Sequence, residues 1–334
     1  MNIDSSAIGR FTPALSPRTR ASGLLWGLVG VAAFSFSVPF TRIAVGSSDS
    51  PGLDPLLVGC GRAVVAAALA VFALGITRTA IPSARHWLRL IPVAAGVVVG
   101  FPLFTSLALR HSDSGHAAVI VGLLPTMTAV VAVTLTRERP GLRFWIGASA
   151  GAAATVVFAF VAHGGTSGGG VDDLYLICAV LLGAIGYAQG GILARELGAW
   201  QTICWALVLA LPVMAVVSAR SIHLHPPTDI TTAQWSAFAY LCGVSMFLGF
   251  FAWYRGLAIG PMTVVSQTQL VQPVLSVAWS ALLLGEALSL GVVGGGLAVI
   301  ACAAFTVRSR TRDSTSLRAR MSHVTTGRLR IVSR

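Results

Sequence analysis

Ten apolar runs of about twenty residues each follow one another along this chain, separated by short polar breaks. That length is what an α-helix needs to cross the roughly 30 Å hydrocarbon core of a bilayer. Inside lipid, backbone N–H and C=O groups must be satisfied within the segment, so such a run becomes a helix. The runs lie at roughly 22–45, 53–76, 88–109, 114–136, 142–162, 174–193, 200–218, 235–254, 262–284 and 288–307. They predict an all-α polytopic membrane protein with ten transmembrane helices. Composition agrees: 55% of the residues are hydrophobic and 10% charged, against about 25% charged in soluble domains.

The charge is one-sided. The formal net charge is +12, and all 23 basic residues are arginine. With the N-terminus cytoplasmic, nineteen arginines fall in cytoplasmic loops and tails. Only Arg42, Arg110 and Arg220 fall on the opposite side, and Arg62 lies within a span. A skew of this kind predicts both termini inside, and the membrane is expected to be the plasma (inner) membrane. It accounts for the basic balance without nucleic acid. The eight arginines of the tail 308–334 fit two roles: a contact with anionic lipid, or a disordered tail that only sets topology. The five cysteines sit in apolar runs with no CxxC spacing, which points to neither a disulfide framework nor a metal site. The first run lacks a cleavage site and reads as a retained helix.

The chain repeats itself. Pro125 stands thirteen residues before Glu138, and Pro273 stands thirteen before Glu286. Both pairs are offset by 148 residues, as are Leu109 and Leu257, and Gly147 and Gly295. The division is a tail at 1–21, a first repeat at 22–162, a Gly-rich linker at 163–173, a second repeat at 174–307 and an Arg-rich tail at 308–334. Each repeat holds five spans, an odd number, so the two copies enter the membrane in opposite directions. Two inverted five-helix repeats are a common transporter construction, with the substrate site between the halves.

Residues Trp26-Gly27, Pro55, Arg62, Ala108-Leu109, Ser114 to Ala118, Pro125, Glu138, Gly147 and Gly151 in the first half form one set. In the second half Tyr187, Arg195, Tyr254, Pro273, Gly285-Glu286 and Gly295 form its counterpart. Together they resemble the drug/metabolite transporter superfamily, of the type with two EamA repeats, over about residues 22–307. Thr136-Arg137 stand where that family usually has Leu-Gly before Glu138, and the second half has no equivalent of Arg62. The resemblance implies a transporter for small organic molecules such as amino acids, many relatives being exporters. It singles out no substrate.

The candidate cavity residues are Arg62, Thr105, Tyr187, Gln189, Gln269, Gln272 and Ser276. Arg62 is the one charge deep in a span, a costly placement that faces a cavity or a partner. Either it meets an anionic group of the cargo, or it pairs with carbonyls or a loop carboxylate to hold the bundle. On a 3.6-residue period Gln269, Gln272 and Ser276 share a face of the ninth run, with Gln267 pointing elsewhere. Amides in hydrocarbon need partners, so that face meets protein, water or ligand. Pro273 removes a backbone hydrogen bond and frees a carbonyl one turn earlier. Pro125, Pro273, Glu138 and Glu286 are expected to be structural or hinge residues, each Glu favouring a helix N-terminus. Trp253 and Tyr254 are expected as interface anchors.

Gly147-Ala148-Ser149-Ala150-Gly151 matches the nucleophile-elbow pattern but lies in an apolar helix, where that motif has no context. Gly147 with Gly151, and Gly291 with Gly295, read instead as helix-packing pairs, within the chain or between the protomers of a homodimer. No catalytic residue, cofactor or metal site is expected. The leading reading is a secondary transporter working by alternating access. The alternatives are an intramembrane enzyme, which needs a buried nucleophile–base set, and a non-transporting membrane receptor. The expected partners are a small-molecule substrate and the lipid bilayer.

Overall fold

A computed structural model describes residues 17–46, 52–108, 120–136, 138, 140–162, 170–284, 290 and 293–306. The described residues are helical with no β-strand, as apolar segments that must satisfy their own backbone require. Six helices are long and apolar enough to span: α1 (Ala21–Val45), α2 (Leu57–Ile76), α3 (Ala84–Thr105), α6 (Val171–Leu197), α7 (Ala199–Leu224) and α8 (Thr232–Ile259). Shorter apolar helices are α4 (Leu124–Thr136), α5 (Leu142–Val157) and α10 (Val293–Thr306). The ninth, α9 (262–284), is built of three pieces. The chain is thus an all-α polytopic membrane protein of two inverted five-helix repeats.

The repeats interlock by exchange. α1 packs on α8, and its image α6 packs on α3; α9 lies along α1, and its image α4 lies along α6. α2 meets α7 and α4 meets α9, each being the other's counterpart. The main apolar core, with residues from α1, α2, α3, α4, α6, α7, α8 and α9, follows from that exchange, and smaller apolar clusters flank it. Glu196, Arg195 and Glu138 link the ends of α6 and α4 to the ends of α3, α8 and α9, which gathers these termini at one end of the bundle. Asp54 links the start of α2 to the end of α7 at the other.

Two local devices set the packing. Gly23, Gly27 and Gly30 form a seam on α1 that lies on Trp253 and Gly256 of α8 and on Gly260 just past its end; a Cβ at Gly30 would stand 2.9 Å from the Trp253 backbone nitrogen. Small residues are how helices approach closely in lipid, where no hydrophobic drive joins them. The second device is a widened turn. Leu57–Gly61, Ala94–Gly100 and Leu241–Leu248 are π-helical, and the last two fall at the repeat's 148-residue offset. Such turns are frequent at functional sites. The α6–α7 connection is the single residue Gly198 at φ +98°, a backbone that favours glycine.

Gly147 abuts Phe305 and Thr306 of α10, and Gly151 abuts Leu270 of α9 and Cys302 of α10. Gly291 and Glu286, with most of the two tails and the linker, lie outside the described residues. Gly295 is half-buried on α10.

Candidate functional site

The organising element is α9, whose middle is not α-helical. Met262–Ser266 is α-helical, Gln267–Val271 is a 3₁₀ stretch, and Gln272–Leu284 resumes the α-helix. Pro273 is the local cause, since it has no N–H to give the carbonyl four residues back. That carbonyl, of Gln269, accepts the N–H of Gln272 instead. The expectation of a free carbonyl here is therefore corrected: the tighter turn satisfies it. The 3₁₀ turn also alters the 3.6-residue register assumed for the amides.

Four polar side chains of α9 reach across to other helices. Gln267 donates from Nε2 to the Pro125 carbonyl of α4 at 3.1 Å, a contact between repeat-related helices. Gln269 donates to the Tyr187 hydroxyl of α6 across a long 3.4 Å. Ser276 donates to the Ser35 carbonyl of α1 at 2.8 Å, and Trp279 to the Ser35 hydroxyl at 2.9 Å. Gln267, Gln269 and Gln272 each keep a buried Oε1 without a hydrogen-bond partner among the described residues. Buried polar atoms are normally paired, so three such oxygens on one helix call for an explanation.

Tyr187 is where the cluster converges. Its ring lies 5.3 Å from that of Trp253, edge to face, and 6.2 Å from Phe250. Phe34 of α1 closes the group at 5.0 Å from Phe250. Arg62, directly after the π turn of α2, has Cys242, Cys60 and Tyr187 as its electrostatic neighbours. The Arg62 Nε and the Trp253 indole N–H are both buried with no partner among the described residues. Two donors and three acceptors of unmet capacity thus belong to helices from both halves. A molecule carrying both acceptors and donors would match them.

Not every candidate joins this group. The Thr105 hydroxyl bonds back to Phe101 and Pro102 of its own helix at 2.6 and 3.1 Å, an ordinary role for threonine in a helix. Gln189 is half-buried, and two residues beyond Tyr187 it occupies a different face of α6. Conversely, Trp253 and Tyr254 are 0% exposed, not anchors at the interface as expected. Tyr254 donates to the Gly186 carbonyl at 3.2 Å, and its ring fills the place a side chain at Gly190 would take. The readable signal was Gly256-xxx-Gly260 beside them, matching Gly23-xxx-Gly27, which draws that part of α8 into the bundle.

Glu138 caps a helix, though not the one that follows it. Its carboxylate accepts the N–H groups of Met262 at 3.0 Å and Thr263 at 3.3 Å, and the Thr263 hydroxyl at 2.6 Å. At the same end Arg89 pairs with Glu196 at 2.5 Å. At the opposite end Asp54 accepts the N–H groups of Leu56 and Leu57 and the Ser221 hydroxyl, with His225 at 3.6 Å.

Comparison with known proteins agrees with this architecture. Residues 21–160 and 172–308 each match the EamA-like transporter family. The chain is 41% identical over 291 residues to an uncharacterized transporter of Bacillus subtilis (strain 168), YdeK; the match spans 85% of this chain and 96% of that one. A protein of known crystal structure, 18% identical, superposes with a TM-score of 0.71 over 88% of this chain and 99% of its own. That likeness concerns the fold.

Proposed function

The chain belongs to the EamA-like transporter family, and from that premise we propose that it is a secondary transporter exporting small organic metabolites such as amino acids. Its substrate site is the Arg62–Tyr187–Gln269 cluster, extended along α9 by Gln272 and Ser276. One observation carries this reading: Arg62, Trp253 and Gln269, each with a buried unmet donor or acceptor, come together beside Tyr187 on helices of both repeats. Arg62 and the Trp253 N–H suit a carboxylate; the Gln269 and Gln272 oxygens suit an ammonium or hydroxyl. Alternating access follows from two inverted halves rearranging around a midplane site. The arginine-rich end of the bundle faces the cytoplasm and the protein sits in the plasma membrane.

The test is transport into proteoliposomes, with candidate cargos ranked first by how far they raise the melting temperature of the purified protein. Arg62→Ala, Gln269→Ala and Gln272→Ala should each weaken the affinity for a transported cargo. Unchanged affinity in all three would remove this site. No faster flux than in empty vesicles, for every candidate, would remove the transport reading itself.

A further inference from the structure

The turn joining α8 to α9 is held from two sides by side chains of opposite charge. α8 ends at Ile259, and its last carbonyls form the negative end of that helix. Arg195, from the end of α6, donates to three carbonyls there: Ala258 at 3.0 Å, Leu257 at 3.3 Å and Gly260 at 3.5 Å. Two residues later α9 begins, and its first N–H groups form a positive end. Glu138, from the end of α4, takes the N–H groups of Met262 and Thr263 and the Thr263 hydroxyl. The turn therefore carries a cation on its outgoing carbonyls and an anion on its incoming amides. Arg195 and the turn belong to the second half. Glu138 belongs to the first.

We propose that Glu138 is the releasable prong of a two-sided latch which shuts the arginine-rich end of the transport path. Arg195 keeps the α8–α9 turn intact as a unit, and detachment of Glu138 lets that unit leave α4. The inference rests on the alternating-access reading of the fold. Met262 through Ser266 are all buried, so the Met262 and Thr263 amides have no water to fall back on while the latch is closed. Losing Glu138 without admitting water would leave buried donors unmet, an unfavourable state. Release of the carboxylate and entry of water at this end are therefore one event. Higher on the same helix pair, Gln267 is tied to the Pro125 carbonyl, so movement at the latch is carried toward Gln269 and the cluster. Glu138 touches no cargo in this scheme. It positions the helix that does.

The test is thiol labelling of a Ser266→Cys variant, whose site lies one turn above the latch and is 0% exposed. The background carries Ala at the two half-buried cysteines, Cys178 and Cys302. A membrane-impermeant maleimide is applied to vesicles of each orientation. With Glu138 intact, the introduced thiol should react slowly from the arginine-rich side. Glu138→Gln should speed that reaction about tenfold or more, the size expected when a charge-assisted hydrogen bond is lost. Reaction from the opposite side should not rise. Thr263→Val keeps both backbone amides and should give a smaller rise of the same sidedness. A Glu138→Gln protein that melts as wild type but labels no faster would overturn the latch. So would faster labelling from both sides with a lowered melting temperature, because that result describes a structural cap. The readout needs no cargo, so failure to find a transported molecule leaves it standing.

Discussion

Replacing Gly256 by alanine tests the seam on which the site is mounted. A Cβ at that position would lie 2.7 Å from the Gly27 nitrogen, 2.9 Å from the Gly23 oxygen and 3.0 Å from the Gly27 Cα. Ordinary van der Waals contact begins at 3.4 Å, so the nearest approach is short by about 0.7 Å. All three atoms are backbone, and none can swing aside as a side-chain tip could. The α1 and α8 axes must separate instead. Overpacking a tight contact costs about 1–3 kcal/mol. Alanine in a helix regains roughly 0.5–1 kcal/mol over glycine. The net loss should be about 1–2 kcal/mol, and Trp253, one turn earlier on α8, should move with the helix. Gly75→Ala is the control: nothing lies within 4 Å of its Cβ position, so only the propensity gain remains. Melting of the purified protein can be followed with a thiol-reactive dye, because Cys60, Cys204 and Cys242 are buried and unmasked on unfolding. Gly256→Ala should melt below wild type, and Gly75→Ala at or above it. Equal melting temperatures for the two variants would show that the seam is not in hard contact.

Other perturbations read out separate parts of the structure. Tyr187→Phe removes the acceptor of Gln269 and should weaken cargo affinity about fivefold, the equivalent of roughly 1 kcal/mol for one neutral hydrogen bond; thermal-shift titration measures it, and unaltered affinity would take Tyr187 out of the site. Thr231→Ala breaks the capping box that Thr231 and Gln234 form at the start of α8 and should cost about 1 kcal/mol, seen as a lower melting temperature. Asp54→Ala deprives the α2 amides and Ser221 of their acceptor and should destabilise by about 1–2 kcal/mol; a loss no larger than that of Ser221→Ala would show that the cap itself contributes nothing. The Arg89–Glu196 pair is short, but Glu196 is 44% exposed. A double-mutant cycle should give it under about 1 kcal/mol, falling further in high salt.

How much could be read without coordinates depends on what kind of cause each feature has. Periodic apolar runs must become helices in lipid whatever they pack against, so the all-α class and the two five-helix copies were legible from the runs and the 148-residue echo alone. Arg62, Gln269 and Gln272 were also legible, because a charge or an amide in hydrocarbon is costly enough to mark itself. Their partners were not. The Gln267–Pro125 and Gln269–Tyr187 contacts join residues 142 and 82 positions apart, and separation along the chain carries no information about which faces meet. Trp253 and Tyr254 show the same limit. Their residue types belong at a membrane interface as readily as in a core, and only the glycine seam between α1 and α8 decides for the core. Glu138 was expected to favour a helix N-terminus, but the helix it caps is α9, brought alongside α4 by the interlocked repeats. Local chemistry determined the helices, their number and the polar residues that need an answer. The tertiary structure alone decided which residues answer them, because hydrogen bonds between helices in lipid depend on how closely the backbones approach, and that is set by pairs of surfaces.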